Sequence, residues 1–229
     1  CGAEPYAPYY RPRLTHCLSE PAGAAKLAIR KPEWYAGHGI ALRTGTAAEH
    51  IDFAQKAVRF ADGSALRYDS LVLAMGAVPN RPNLPCRVPP MTLRSYDDAV
   101  NVRNAALTAG RAIVVGGGLL GLETAWEINA AGVETTVIER APWLMPRQLN
   151  RAAGLSLQRR LEASGMAIAT GQDPEACPAV YDGACVVLCA GVQADLALVR
   201  ESPLATARSI PVDDRMRTNL EGVYACGDV

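Results

Sequence analysis

The sequence lacks an excess of either charge. Lys and Arg together number 23, as do Asp and Glu, so the formal net charge at pH 7 is zero, and no run of five basic residues occurs. Nucleic-acid-binding proteins usually carry basic patches, so nucleic acid is not expected as a partner. Apolar runs are also short: the stretch 186–192 is strand-sized, far below the roughly 20 residues of a membrane-spanning helix. We therefore expect no membrane partner either.

The cysteines lack the spacing of metal sites and redox pairs. There are seven of them, an odd number, and no Cys-x-x-Cys pair occurs. This pattern suits a reducing compartment, so we expect a cytoplasmic protein without a bound metal. We expect most of the cysteines to be small buried side chains. Cys185 and Cys189 in particular flank an apolar run typical of a core strand.

The sequence does contain an alternation of strand and helix patterns. Asp62-Gly63 between two β-rich runs predicts a hairpin, and the apolar run 70–75 predicts a strand buried on both faces. Further along, the patterns predict helices over 95–109, 119–131 and 151–163, and strands over 112–115, 135–138, 185–192 and 222–226. Such an alternation predicts an α/β fold with a parallel central sheet and helices on its faces.

The glycine run Gly116-Gly-Gly118-Leu-Leu-Gly121 follows one of these strands and opens a helix. This is the context of a dinucleotide-binding βαβ unit. Gly116 permits the tight turn, Gly118 lets the backbone approach the pyrophosphate, and Gly121 lets helix and strand pack closely. The free N–H groups at the helix start, at Leu119 and Leu120, and the helix dipole favour the phosphate charge.

An acidic residue, Glu139, ends the next predicted strand. A carboxylate at this position accepts hydrogen bonds from the adenosine ribose hydroxyls and repels an added 2′-phosphate, which favours NADH over NADPH. Arg140 beside it could pair with a 2′-phosphate, so NADPH stays open as the alternative.

Four segments resemble the pyridine nucleotide-dependent FAD reductases that serve rubredoxin, ferredoxin or nitrite reductase, a branch of the glutathione-reductase-like superfamily. They are Tyr9-Tyr-Arg-Pro-Arg-Leu14, Leu73-Ala-Met-Gly-Ala-Val-Pro79, residues 116–123 and Thr218-Asn-Leu-Glu-Gly-Val-Tyr-Ala-Cys-Gly-Asp228. The first segment is most similar to rubredoxin reductases. The resemblance implies an NAD(P)H-dependent flavoprotein oxidoreductase that moves hydride from NADH to FAD. Its electrons would pass to a small redox protein such as rubredoxin, or to a reductase partner.

The resemblance also implies two Rossmann-like domains with parallel central sheets. Residues 1–107 and 209–229 would form a discontinuous FAD-binding domain, and residues 108–208 the NAD(H)-binding domain. The first βα unit of the FAD domain and the C-terminal interface domain of the family do not occur in the sequence. We therefore expect a truncated FAD domain and a fragment of a longer protein.

Further cofactor-binding residues follow from the resemblance. They are Glu4 at the adenosine ribose of FAD, Arg11 and Pro12 near the isoalloxazine, Ala74 and Gly76 in a turn near the flavin, Gly227 and Asp228 at its ribityl and pyrophosphate, and Gly191 near the nicotinamide. His16 and Glu123 correspond to a lysine–glutamate pair of the family beside flavin N5. We hypothesise that they form a hydrogen-bonded catalytic pair, the alternative being an exposed His16 without a role.

Two other functions compete with electron transfer. A peroxide- or oxygen-reducing flavoenzyme of the same superfamily would need a redox cysteine, for which Cys17 is the candidate. A non-catalytic nucleotide-binding module is the other alternative. Disulfide reduction is disfavoured, because no Cys-x-x-x-x-Cys pair of the disulfide-reducing relatives occurs.

Overall fold

A computed structural model describes residues 1–176 and 181–229 of the chain. Their contacts divide them into two compact units. Unit 1 comprises residues 1–9, 28–78 and 192–229, and unit 2 comprises residues 10–27 and 79–191. These bounds differ from those expected for the two nucleotide-binding domains, since 10–27 and 79–107 lie in unit 2 and 192–208 in unit 1. The assignment of FAD and NAD(H) to domains stays a prediction.

Unit 1 contains small sheets rather than one large one. Its strands are β1 (Ala48–Asp52), β2 (Ala57–Phe60), β3 (Ala65–Arg67), β4 (Leu71–Leu73), β5 (Ala77–Pro79, whose last residue falls in unit 2), β11 (Val192–Ala194) and β12 (Val223–Ala225), and its helix is α2 (Pro32–Gly37). Strands β1, β2 and β3 form an antiparallel sheet. Gly63 lies in the β2–β3 turn with φ +79°, so the predicted hairpin is confirmed.

Strands β4 and β12 pair in parallel, with Leu71 opposite Val223 and Leu73 opposite Ala225. Leu73 is buried in an apolar cluster of unit 1. Val72, whose side chain points to the other face, is 58% exposed. The prediction of a strand buried on both faces is therefore wrong, because this two-stranded sheet is covered on one side only within the residues described.

Unit 2 is organised around a parallel five-stranded sheet. Its strands are β6 (Met91–Thr92), β7 (Arg111–Val115), β8 (Glu134–Glu139), β9 (Ala167–Thr170) and β10 (Cys185–Leu188). They lie in the order β6-β10-β7-β8-β9, and each neighbouring pair is parallel. Val114, Val137 and Val187 are fully buried, as the central strands of a sheet covered on both faces should be. The predicted α/β fold with a parallel central sheet is confirmed.

The three helices predicted for unit 2 begin and end within one residue of the predicted limits, and three short helices were not predicted. Together they are α1 (Ala24–Leu27), α3 (Tyr96–Ala109), α4 (Leu119–Ala130) and α5 (Arg151–Ala163), with 3₁₀ helices η1 (Arg11–Leu18) and η2 (Pro174–Ala176). Ser95 and Asp98 form a capping box at the start of α3, and Gly110 ends it with φ +66°. These local signals explain why the helix limits could be read from the sequence. No helix within the described ranges is long and apolar enough to cross a membrane.

The cysteines are less buried than expected. Among those described, Cys17 and Cys185 are buried, Cys86 and Cys189 are partly exposed as whole residues although the Cys189 thiol itself is buried, and Cys1 and Cys226 are exposed. The expectation that most are buried is therefore wrong: Cys226 follows the last residue of β12, where the strand leaves the core. Cys177 lies outside the described residues.

Candidate functional site

The predicted glycine turn connects β7 to α4 within unit 2. Gly116 has φ +120°, and a Cβ atom there would clash with the carbonyl group of Cys189. A Cβ atom at Gly121 would clash with the carbonyl oxygen of Gly116. Only glycine therefore fits at these two positions, since one needs an unusual backbone and the other a close approach of helix to strand.

Gly118 differs from these two glycines, because a Cβ atom there would have no heavy atom within 4 Å. It is the N-cap of α4 and, having no side chain, makes no capping hydrogen bond. Leu119 and Leu120 of the first turn are exposed. The open start of α4 thus presents backbone N–H groups and the positive end of the helix dipole, an arrangement that binds phosphate groups.

Glu139, the last residue of β8, is held beside this turn. Its Oε2 accepts a hydrogen bond of 2.5 Å from the N–H of Gly117, and its Oε1 accepts one of 2.6 Å from the N–H of Ala141. The two hydrogen bonds fix the carboxylate at the carboxyl end of β8. Parallel strands carry their ligand sites at this end of the sheet, so turn and carboxylate together suit a dinucleotide.

Arg140 turns toward the segment that follows β9. Its Nη2 lies 3.1 Å from Oδ1 of Asp173 and 3.5 Å from Oε1 of Glu175. The arginine that could serve a 2′-phosphate is therefore paired with two carboxylates. The sequence pattern gave no indication of either partner.

The chain after β10 also lies beside the glycine turn. Cys189 donates its backbone N–H to the oxygen of Val115, at 2.8 Å. Gly191 follows with φ +86°, and its oxygen accepts a hydrogen bond of 2.9 Å from the N–H of Asn80. The structure thus brings the 189–191 segment, the turn at Gly116 and Glu139 to one edge of the sheet.

Burial disfavours the thiolate form of three cysteines in unit 2. Burial raises the pKa of Cys189 to about 12 and that of Cys185 to about 11. Burial also raises the pKa of Cys17. Because the thiolate is the reactive form, a raised pKa makes each of these thiols less reactive at neutral pH than an ordinary cysteine.

His16, on η1, makes a different contact from the one hypothesised. Its Nδ1 lies 2.8 Å from Oε1 of Glu127, and the Glu127 side chain is only 13% exposed. Ser19 donates its hydroxyl to the other carboxylate oxygen of Glu127. The hypothesised partner Glu123 is exposed, one helical turn earlier on α4. The observed hydrogen bond of His16 thus goes to Glu127, and a catalytic role of His16 and Glu123 stays a prediction.

Four of the expected flavin-binding residues lie together in unit 1. The turn with Ala74 and Gly76 follows β4, and Gly227 and Asp228 follow β12, directly beside it. The N–H of Cys226 donates to the oxygen of Leu73 at 3.0 Å, which joins the two strand ends. Both segments therefore leave the same, carboxyl edge of a parallel strand pair, with Gly227 at φ +83° and Gly76 at φ +77°.

The remaining expected flavin-binding residues lie elsewhere. In unit 1, Oε2 of Glu4 accepts a hydrogen bond of 2.5 Å from the hydroxyl of Tyr9, and its carbonyl oxygen accepts one of 2.8 Å from Gly45. In unit 2, Nη1 of Arg11 donates to the oxygen of Arg94 at 2.5 Å. Pro12 is exposed on η1.

Comparisons with known proteins agree on one family for this chain. The family described as pyridine nucleotide-disulphide oxidoreductase matches residues 1–229. NADH-rubredoxin oxidoreductase of Clostridium acetobutylicum is 33% identical over 228 residues, 100% of this chain and 60% of that protein. Rubredoxin-NAD(+) reductase of Pseudomonas putida is 31% identical over 244 residues, 98% of this chain and 63% of that protein.

Solved structures agree with the sequence relatives. The crystal structure of NADH:rubredoxin oxidoreductase from Clostridium acetobutylicum superimposes with a TM-score of 0.92 at 32% identity, over 99% of this chain and 60% of that one. The chain thus spans about 60% of the length of the relatives it matches.

Proposed function

Since the chain belongs to the pyridine nucleotide-disulphide oxidoreductase family, we propose that it acts as an NADH-dependent flavoprotein oxidoreductase. In this proposal hydride passes from NADH to FAD, and electrons continue to a small redox protein such as rubredoxin. The observation that carries it is the open glycine turn of unit 2 with Glu139 hydrogen-bonded to Gly117. That arrangement fits the diphosphate and ribose of a nicotinamide dinucleotide.

The residues of unit 2 each contribute one interaction to the proposed NADH site. The N–H groups at Leu119 and Leu120 would bind the diphosphate, and Gly118 leaves room for its approach. Glu139 would accept the hydroxyls of the adenosine ribose. Gly191 follows β10, whose end lies against Gly116, a position that suits the nicotinamide half.

The residues of unit 1 fit the proposed FAD site. Asp228 and the turn of Ala74 and Gly76 lie at the carboxyl edge of β4 and β12, where α/β sheets bind nucleotides. We propose that Asp228 and Gly227 bind the ribityl and pyrophosphate end, with Glu4 at the adenosine ribose. Bound FAD would supply the hydride and electron chemistry, and the protein its position and electrostatics.

Four residues of unit 2 are expected near the flavin and belong to the same proposal. We propose that His16 and Glu123 act in catalysis and that Arg11 and Pro12 contact FAD, although His16 is hydrogen-bonded to Glu127. If Glu123 acts in hydride transfer, Glu123→Gln slows reduction by NADH, whereas a purely structural role leaves the rate unchanged.

Electron transfer is favoured over peroxide or oxygen reduction by the state of Cys17. A peroxide-reducing flavoenzyme needs a reactive thiolate, and burial raises the pKa of this thiol. The names of the relatives favour rubredoxin as the acceptor in this proposal, because both act with rubredoxin by name. A cytoplasmic location is part of the same proposal.

An anaerobic mixing experiment tests this function. The FAD-loaded protein is mixed with NADH, and the yellow flavin absorbance is followed before and after oxidised rubredoxin is added. The proposal predicts bleaching by NADH and recovery of the colour as rubredoxin is reduced. Recovery with peroxide or oxygen, together with no recovery on addition of rubredoxin, would favour the alternative flavoenzyme. A protein that binds NADH but no flavin would be a nucleotide-binding module, and the proposal would be rejected.

A further inference from the structure

Arg140 occupies a position from which it could decide between NADH and NADPH. It directly follows Glu139 at the end of β8, and a guanidinium can bind a phosphate through two N–H groups. Arg140 is exposed, yet its Nη2 lies 3.1 Å from Asp173 Oδ1 and 3.5 Å from Glu175 Oε1. Two carboxylates thus compete with any phosphate for this one cation.

Backbone hydrogen bonds hold the segment that carries the two carboxylates beside the end of β8. The N–H of Gly171 donates to the oxygen of Ala141 at 2.8 Å, and the N–H of Gln172 donates to the oxygen of Glu139 at 3.2 Å. The N–H of Glu175 in turn donates to Oδ1 of Asp173 at 3.2 Å. The segment after β9 is therefore tied to the strand end that carries Arg140, and the Asp173 carboxylate is held in addition by the N–H of Glu175.

The charge around this strand end opposes a phosphate. Glu139, Asp173 and Glu175 supply three carboxylates against the single guanidinium of Arg140. A 2′-phosphate on the adenosine ribose would meet this surplus of negative charge and would also have to displace Asp173 and Glu175 from Arg140. A ribose with a free 2′-hydroxyl is not repelled by these carboxylates and does not have to displace them from Arg140.

We propose that Asp173 and Glu175 are specificity-determining residues, which hold Arg140 away from the 2′-position and so select NADH over NADPH. The inference rests on the proposed dinucleotide site. Asp173 and Glu175 act through Arg140, whereas Glu139 contacts the ribose itself.

Calorimetric titration of the 229-residue chain with two probes tests the inference. The probes are ADP-ribose and 2′-phospho-ADP-ribose, which differ only in the phosphate. For the double variant Asp173→Asn/Glu175→Gln, we expect the ratio of the two affinities to shift about three- to tenfold in favour of the phosphorylated probe. This shift corresponds to the free energy of breaking one or two exposed ion pairs. The affinity for ADP-ribose should stay within about twofold, which also shows that the variant is folded.

Two controls isolate the mechanism. Asp182→Asn removes an exposed carboxylate that pairs with Arg87 at 3.5 Å in the same unit, and it should leave the ratio unchanged. Adding Arg140→Ala to the double variant should remove most of the gain, because no guanidinium is left to bind the phosphate and only the smaller effect of the two lost negative charges remains.

The outcomes separate this inference from the proposed function. An unchanged ratio in the double variant, or a gain that persists in full without Arg140, overturns the inference while ADP-ribose binding still supports the dinucleotide site. Failure of the unmodified chain to bind either probe overturns the proposed function and the inference with it.

Discussion

The N–H of Gly117 donates a hydrogen bond of 2.5 Å to Oε2 of Glu139, so the glycine turn itself orients the carboxylate that ends β8. This contact joins the two parts of the proposed NADH site, one for the diphosphate and one for the ribose. The carboxylate accepts a second hydrogen bond from the N–H of Ala141. Its position is therefore set by the backbone before any nucleotide binds.

Glu139→Gln should weaken NADH binding about tenfold, since hydrogen bonds to a charged acceptor are worth roughly 1.5–3 kcal/mol. The NH₂ group of the glutamine amide would also face one of the two backbone N–H groups, and two donors cannot form a hydrogen bond. Fluorescence titration with NADH measures the loss. Glu134→Gln, at the exposed other end of β8, is the matched control and should bind NADH normally. Equal affinities of the two variants would contradict the assigned role of Glu139.

Gly121→Ala should lower the free energy of unfolding by about 1–3 kcal/mol, because the added Cβ meets the carbonyl oxygen of Gly116. Gly118→Ala, in the same turn, has open space around its Cβ and no positive φ. Because alanine is a poorer N-cap than glycine, the unfolding free energy of Gly118→Ala should fall by about 0.5 kcal/mol, less than that of Gly121→Ala. Urea unfolding followed by circular dichroism compares them, and equal stabilities would show that helix and strand do not approach each other as described.

His16 and Glu127 should be energetically coupled. A double-mutant cycle with His16→Ala and Glu127→Gln should give a coupling of about 0.5 kcal/mol in unfolding free energy, as expected for a pair of which one side chain is largely exposed. The same cycle with Glu123→Gln should give a coupling near zero. Coupling to Glu123 instead of Glu127 would restore the original hypothesis.

Stability should fall in alkali through the buried thiols. In Cys185 and Cys189 burial raises the folded-state pKa to about 11 and about 12, above the ordinary value of 9.0. The folded state keeps its proton where the unfolded state loses it, so this stabilisation is complete below pH 9 and is lost as the pH rises toward 11–12. Urea unfolding at a series of pH values measures the slope.

The matched variants for this pH dependence are Cys189→Ala and Cys226→Ala. The first should show a shallower loss of stability above pH 9, the ordinary thiol pKa, because the buried thiol is gone. The second removes an exposed cysteine and should follow the unmodified chain. A slope that is the same in all three proteins would show that Cys189 is not buried as described.

Much of unit 2 could be predicted from the sequence because its signals are local. Ser95 caps α3, Gly110 ends it, and the glycine run at 116–121 predicts the turn before α4. The alternation of apolar strands with helices then leaves a parallel sheet as the expected architecture. Strand β8 with Glu139 at its end follows from the same pattern.

The contacts between distant segments could not be predicted in the same way. The pairing of Arg140 with Asp173 and Glu175 depends on how the segment after β9 returns to the end of β8. No local sequence pattern predicts this return. The exposure of Val72 depends on how many strands flank β4. The choice of Glu127 over Glu123 depends on the rotation of α4 relative to η1 within unit 2, since both residues have the spacing for one helix face.

Calorimetric titration of the Gly118→Ala variant with NADH shows whether the diphosphate binds at the start of α4. The added methyl group touches no protein atom within 4 Å, but it occupies the space through which the diphosphate would reach the start of α4. We expect at least a tenfold loss of NADH affinity in a variant that stays folded, whereas Gly23→Ala, equally free of neighbours, should bind as the unmodified chain does. Full NADH affinity in Gly118→Ala would contradict the dinucleotide site.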